Sequence, residues 1–132
     1  PGAVQRRRRV RAALREVRQV LEQHHKAVFF PLEVRYVKGD DVWLSPFYQR
    51  DSMSIAVHRF HSEDYRPLFN AVEPIFRKYG GRPHWGKINS VKRAQFAQMY
   101  PRWEAFVEVR QQLDPSAKFL NPYLASLFGG AA

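Results

Sequence analysis

Two short stretches hold the side chains best suited to chemistry. In FPLEVRYV, residues 30–37, Glu33 and Arg35 stand two apart. On a strand, side chains alternate in direction, so these two share one face with their Cα atoms ~7 Å apart. Leu32, Val34 and Tyr36 share the other face. A carboxylate accepts hydrogen bonds from hydroxyls, and a guanidinium donates them in a fixed fork. Side by side, they form either a solvent-facing ion pair of little energetic value or two complementary tools for one polyhydroxylated ligand. His58 lies in MSIAVHRF, residues 53–60, and alternates onto the side of Ser54 and Ala56. Where the polar faces of the strands coincide, His58 joins Glu33 and Arg35. Otherwise it is a hydrogen-bonded surface histidine.

The second stretch is GGRPHWGK, residues 80–87. Glycine and proline together oppose a helix there. Arg82, His84 and Lys87 are too polar a set for a buried strand. The segment is therefore expected to be irregular and to be held from elsewhere. No other pattern competes with these two. His24-His25 has no partner four residues on, so no metal site is expected. The sequence shows neither GxGxxG nor a Walker motif, and no recognisable Ser-His-Asp order.

Elements must position these groups. Val10, Leu14, Val17 and Leu21 recur at helical spacing, which predicts a helix over 5–24. Residues 28–38 read as a strand, Gly39-Asp40-Asp41 as a turn, and VWLS at 42–45 as the returning strand of a hairpin. A loop, PFYQRD, leads to a third strand over 53–60. Ser62 with Glu63 and Asp64 starts a helix whose stripe is Leu68, Phe69, Val72 and Phe76. Pro67 and Pro74 argue for a kink or a shorter helix, and Gly80-Gly81 stops it. Helices are predicted over 91–98 and 102–112, with a last short one over 118–127. Short connections between strands favour antiparallel pairing. The expected fold class is α+β, a small antiparallel sheet with helices packed on one face. Those helices should cover Leu32, Val34 and Tyr36 and leave Glu33 and Arg35 on the open face of a central strand.

The 132 residues suffice for one compact domain with a single core. No cysteine is present, which excludes a disulfide framework, a thiolate nucleophile and a thiolate metal site. No run approaches the ~20 apolar residues of a membrane span, and no secretory signal is visible. A cytoplasmic or membrane-associated location fits equally. The chain opens on Pro1-Gly2 without methionine, as a fragment or a processed product would. The net charge is +10, and the basic residues crowd the first helix, above all the Arg6–Arg9 run. Such a run is either a solvated helix face or a phosphate-binding footprint. A small basic nucleic-acid-binding module is thus the alternative reading, although no nucleic-acid motif is recognisable.

Five strings occur in a set order: FPLEVRYV, DDVWLSPFYQRDS, GGRPHWGK, MYPRWEAFVEVRQQLDP and FLNPYL. Together they resemble the C-terminal portion of the sugar-lactone oxidoreductases, the gulonolactone and arabinonolactone oxidases and, more distantly, alditol oxidase. These are flavoproteins of the vanillyl-alcohol-oxidase class. The resemblance covers about residues 28–127.

It implies that residues 1–132 are a single C-terminal substrate-binding cap domain. FAD would be bound mainly by an N-terminal domain absent from this chain, and the fragment alone would be inactive and hold no FAD tightly. The substrate would be a sugar lactone or polyol, oxidised by hydride transfer to the flavin, with the electron acceptor unspecified and no nucleic acid expected. The resemblance maps the sugar contacts onto Glu33, Arg35 and Lys87, with His58 as a further pocket residue. It sets His84 near the flavin edge. Lys87 would then stabilise the alkoxide-like oxygen and His84 would accept its proton. Gly80, Gly81 and Gly86 would let the backbone approach a flat cofactor, with Trp85 as an apolar anchor.

Overall fold

A computed structural model of the chain describes residues 3–129, with side chains from Arg9 onward. Along this span run α1 (Ala3–His24), β1 (Glu33–Val37), β2 (Ser52–Ala56), α2 (Arg66–Lys78), α3 (Arg93–Met99), α4 (Trp103–Leu113) and α5 (Pro122–Phe128). Among the described residues, five helices and one two-stranded antiparallel sheet make a small α+β fold. The buried side chains form two clusters where the length suggests one core. The chain divides into two compact units, Pro1–Gly39 with Arg50–Arg82, and Asp40–Gln49 with Pro83–Ala132.

In the first unit, Val17 of α1 is buried against Leu68, Val72 and Ile75 of α2. The four-and-three spacing of the α2 residues turns them to one side of the helix. Val20, Leu21, Val28, Leu32 and Val57 close around this cluster. Arg9, Arg11, Arg15 and Arg18 are exposed, off the apolar stripe, as on a solvated face. The side chains of Arg6, Arg7 and Arg8 lie outside the described residues.

Helix α2 starts later than Ser62, at Arg66, behind a turn made by the Asp64 carboxylate. Its Oδ1 accepts from the Arg66 backbone N–H at 3.0 Å and from Arg66 Nε at 2.8 Å. Pro67 then falls in the first turn, where no amide donor is needed. At the other end the Gly80 N–H donates to Arg77 O at 2.9 Å and the Gly81 N–H to Phe76 O at 2.7 Å. These two crossed bonds are a Schellman cap, and they require the left-handed φ of 72° at Gly80. A Cβ on Gly81 would sit 2.8 Å from Phe76 O. The first two glycines of GGRPHWGK are therefore a helix terminus.

The end of α2 is also tied to α1. The Lys78 ammonium donates to the Glu16 carboxylate at 2.9 Å, and the Tyr79 hydroxyl donates to it at 3.0 Å. Lys78 first and Tyr79 second hold the Glu16 carboxyl below its ordinary value. A depressed carboxylate contributes stability above its unfolded-state value and loses it as the pH falls through the folded one. The clasp is thus expected to be intact at neutral pH and to weaken on acidification below the ordinary carboxylate range. A Lys78→Met variant should melt with a shallower acid limb than the parent in circular-dichroism scans taken across that range. Superimposable acid limbs would rule the clasp out as a contributor.

The returning strand expected at 42–45 is not formed. Asp40 captures that stretch instead. Its Oδ1 accepts from the Val42 N–H at 3.1 Å and its Oδ2 from the Ser45 hydroxyl at 2.5 Å. An aspartate bonding the amide two residues on makes a turn that competes with a strand ladder. The Gln49 N–H closes the loop onto Asp40 O at 2.7 Å, with Gln49 at a φ of 53°. β1 pairs instead with β2, in the stretch read as the third strand, so the sheet has two strands and no central one.

The second unit is built on aromatic side chains. Phe96 of α3, Tyr100, Trp103 of α4 and Leu127 and Phe128 of α5 are buried together with Val91. Phe96 stacks on Trp103 at 6.1 Å, and Trp103 on Phe128 at 4.8 Å, with interplanar angles of 12° and 22°. After α4, the Asp114 carboxylate accepts from the backbone N–H groups of Lys118 at 2.8 Å and Phe119 at 3.0 Å. That turn delays α5 to Pro122, where the Asn121 side chain caps it by accepting from the Leu124 N–H. Among the described residues, no helix is long and apolar enough to cross a membrane.

Candidate functional site

The register of β1 and β2 decides which side chains meet. Glu33 pairs with Ala56, Val34 with Ile55 and Arg35 with Ser54. Directly paired residues point to the same face. Glu33, Arg35, Ser54 and Ala56 therefore share one face, and Val34, Tyr36, Met53 and Ile55 the other. One step beyond the pairing, Leu32 and Val57 both enter the apolar cluster of α1 and α2. His58 comes one residue after Val57 and returns to the polar face.

There the three candidates converge. One Glu33 carboxylate oxygen pairs with the Arg35 guanidinium, and the other lies 3.6 Å from His58 Nε2. The side chains of Glu33, Arg35 and His58 are 39%, 73% and 45% exposed, so a ligand can reach all of them. An ion pair this open adds little to stability. Two expectations need correction. His58 is not on a strand, since β2 ends at Ala56. Helices do not cover the whole Leu32–Val34–Tyr36 face either: Tyr36 is 82% exposed. A two-stranded sheet is too narrow to seat helices along its length, so only its Leu32–Val57 end is packed.

Sequence patterning missed a neighbour of this group. The Phe30 ring lies 6.2 Å from the His58 ring, and Phe29 stacks on Phe30 at 4.3 Å. The available signal was the aromatic pair before Pro31, which strand patterning absorbed as apolar filling.

His84 and Lys87 belong to the second unit. Their segment is irregular between Gly81 and Lys92, as Gly and Pro demand. Trp85 pins it. The indole Nε1–H donates to Leu44 O at 2.7 Å, and the ring stacks on Phe96 at 4.6 Å and on Tyr100 at 5.7 Å. The flanking side chains are then held outward. The Lys87 N–H donates to His84 O at 3.1 Å, and the Gly86 N–H donates to His84 Nδ1 at 3.0 Å. With the Nδ1 lone pair engaged, the proton of the neutral imidazole sits on Nε2. His84 thus presents a donor to solvent, and acting as a base requires its bond to Gly86 to break. Both side chains are exposed, and the Lys87 ammonium makes no ion pair among the described residues. A Cβ on Gly86 would meet only the His84 ring, at 3.4 Å, whereas one on Gly80 would meet open space. Among the described residues, no group of three His, Asp or Glu side chains is arranged to hold a metal.

Residues 5–127 match the family model described as D-arabinono-1,4-lactone oxidase. The chain belongs to the D-arabinono-1,4-lactone oxidase family. L-Gulonolactone oxidase of Mus musculus is 43% identical over 127 residues, 92% of this chain and 29% of that protein. L-Gulono-1,4-lactone dehydrogenase of Mycobacterium tuberculosis is 40% identical over 119 residues, 90% of this chain and 28% of that one. Alditol oxidase of a Streptomyces species is 36% identical over 101 residues, 74% of this chain and 24% of that one. The chain thus spans less than a third of the length of these relatives. Within the D-arabinono-1,4-lactone oxidase family match lie both candidate groups, Glu33–Arg35–His58 and His84–Lys87. The relatives' names are those of sugar oxidoreductases, so the nucleic-acid alternative draws nothing from them.

Proposed function

We propose that this chain is the substrate-binding part, one functional domain over residues 1–132, of an FAD-dependent enzyme that oxidises a gulono- or arabinono-type sugar 1,4-lactone. The observation that carries the reading is the convergence of Glu33, Arg35 and His58 on one open face, in a chain matched by this family over residues 5–127. Glu33 accepts hydrogen bonds from sugar hydroxyls, Arg35 donates to them, and His58 adds a further polar contact. Lys87 brings a cation to the oxygen that becomes alkoxide-like as its proton leaves. His84 accepts that proton at Nδ1, releasing its bond from the Gly86 N–H.

The residues present fit a flavin. No backbone crowds Gly86, whose nearest neighbour is the His84 ring, and His84 and Lys87 stand exposed beside it, so a flat group could lie along this stretch. FAD, when bound, supplies the acceptor for the hydride leaving the sugar carbon. It would be held mainly by an N-terminal domain of the same protein, with this chain closing against it.

The test is anaerobic mixing of the intact protein with L-gulono-1,4-lactone or D-arabinono-1,4-lactone. Bleaching of the flavin band by either lactone is the expected result. An unbleached band with both, together with salt-sensitive retention on DNA, would overturn the reading. Glu33→Gln should raise KM for the bleaching lactone by about tenfold, the value of one good charged hydrogen bond. It should shift folding stability by no more than about 0.5 kcal/mol, because its ion pair is exposed. An unchanged KM would remove Glu33 from the site.

A further inference from the structure

The polar face accounts for the hydroxyls of a sugar but not for the aromatic pair beside it. Phe29 is 69% exposed and Phe30 36% exposed. Scattered apolar residues on a surface need no explanation, but these two stack at 4.3 Å, and the Phe30 ring lies 6.2 Å from that of His58. His58 in turn touches the Glu33 carboxylate. An open hydrophobic ring surface thus adjoins a carboxylate, a guanidinium and an imidazole. Binding sites for small organic molecules combine apolar and aromatic walls with a few placed polar groups.

We infer that Phe30, backed by Phe29, is the platform for the C–H face of a ring-closed sugar, and selects a lactone over an open-chain polyol. This rests on the substrate reading above and sharpens it. A sugar ring carries hydroxyls around its rim and C–H groups on its faces. A lactone ring is held nearly flat by its ester group, so several C–H groups and ring atoms meet an aromatic plane together. An open-chain polyol has the same hydroxyls for Glu33, Arg35 and His58, but no continuous face to lay on Phe30. The polar groups recognise both classes, and the ring contact distinguishes them. A flat aromatic side chain gives such contact area at low entropic cost, since it has only two rotatable bonds.

The experiment compares kcat and KM of the intact enzyme and of Phe30→Ala, Phe30→Leu and Phe30→Tyr for the bleaching lactone and for an open-chain pentitol. Phe30→Ala is expected to raise KM for the lactone about tenfold, as the loss of one good aromatic contact would. KM for the pentitol should stay within about twofold, so the preference collapses. Phe30→Leu should behave like Phe30→Ala, because it keeps apolar volume but loses the flat face. Phe30→Tyr should restore the preference. A general packing defect would instead change both substrates in parallel and lower the melting temperature. The inference is overturned if Phe30→Ala and Phe30→Leu keep the parent's lactone-to-pentitol ratio, or if both substrates lose equally. If the parent enzyme turns over no lactone, the substrate reading has failed, and the platform with it. Lactone turnover with an unchanged ratio in the variants isolates failure of the platform alone.

Discussion

Lys87→Ala in the intact enzyme is expected to lower kcat and kcat/KM together by about a hundredfold, with flavin content and melting temperature unchanged. The size follows from the role. A preorganised cation aimed at developing negative charge stabilises the transition state more than the bound substrate, and removing one such group typically costs ~3 kcal/mol. The absence of a folding effect follows from the surroundings. The Lys87 side chain is exposed and makes no ion pair among the described residues, while the turn is kept by backbone bonds from Lys87 and Gly86 to His84. Loss of a solvated side chain should change stability by about 0.5 kcal/mol or less. Lys87→Arg should recover part of the rate, since it keeps the charge and changes the donor geometry. Steady-state kinetics with the lactone decides the matter. If kcat and kcat/KM of Lys87→Ala stay within about twofold of the parent, Lys87 plays no part in turnover.

Trp85→Ala should have the larger effect on folding. Its indole lies against Phe96, Tyr100 and Phe128, with ring centroids at 4.6, 5.7 and 6.0 Å. Truncating a packed aromatic side chain to alanine costs about 3–5 kcal/mol, from lost burial plus the cavity left behind. For a chain of this length that is a fall in melting temperature of roughly 10 °C or more. Trp85→Phe keeps most of the stack but leaves Leu44 O without the indole N–H, at a cost of about 1–2 kcal/mol. Thermal unfolding followed by circular dichroism separates the two variants. A melting temperature within a few degrees of the parent for Trp85→Ala would mean that the aromatic stack does not hold this segment. Trp85→Phe should also depress lactone turnover beyond its stability cost, because His84 and Lys87 flank the residue that pins them.

The two candidate groups were legible in different ways. Glu33 and Arg35 follow from period-2 alternation, which survives any detail of the sheet so long as β1 is extended. His58 was assigned to the polar face by the same alternation, and its position there outlasts the strand that was expected to carry it. The Phe30 contact was not legible, because an aromatic side chain in an apolar run looks the same buried or exposed. The Trp85 bond to Leu44 O joins residues 41 apart, and no local pattern encodes it.

The sequence by itself determined the helices α1 and α4 nearly to their ends, the irregular course of GGRPHWGK, the pairing of Glu33 with Arg35, and the family. These rest on helical spacing, on backbone breakers and on rare strings, all of which are local. Tertiary structure decided that β1 pairs with β2 and that Trp85 bonds Leu44 O, 41 residues away; competing local hydrogen bonds decided the rest. Asp40 turned VWLS into a loop by bonding Val42 and Ser45, so a stretch with strand-forming residues lost its ladder. Gly80 and Gly81 stop α2, as expected, and the structure adds how: their N–H groups close the carbonyls of Arg77 and Phe76. His84 became an Nε2 donor because the Gly86 amide occupies its other nitrogen. In each case a hydrogen-bonding group chose between partners that composition leaves equally open, and the choice depended on which partner the folded backbone brought within about 3 Å.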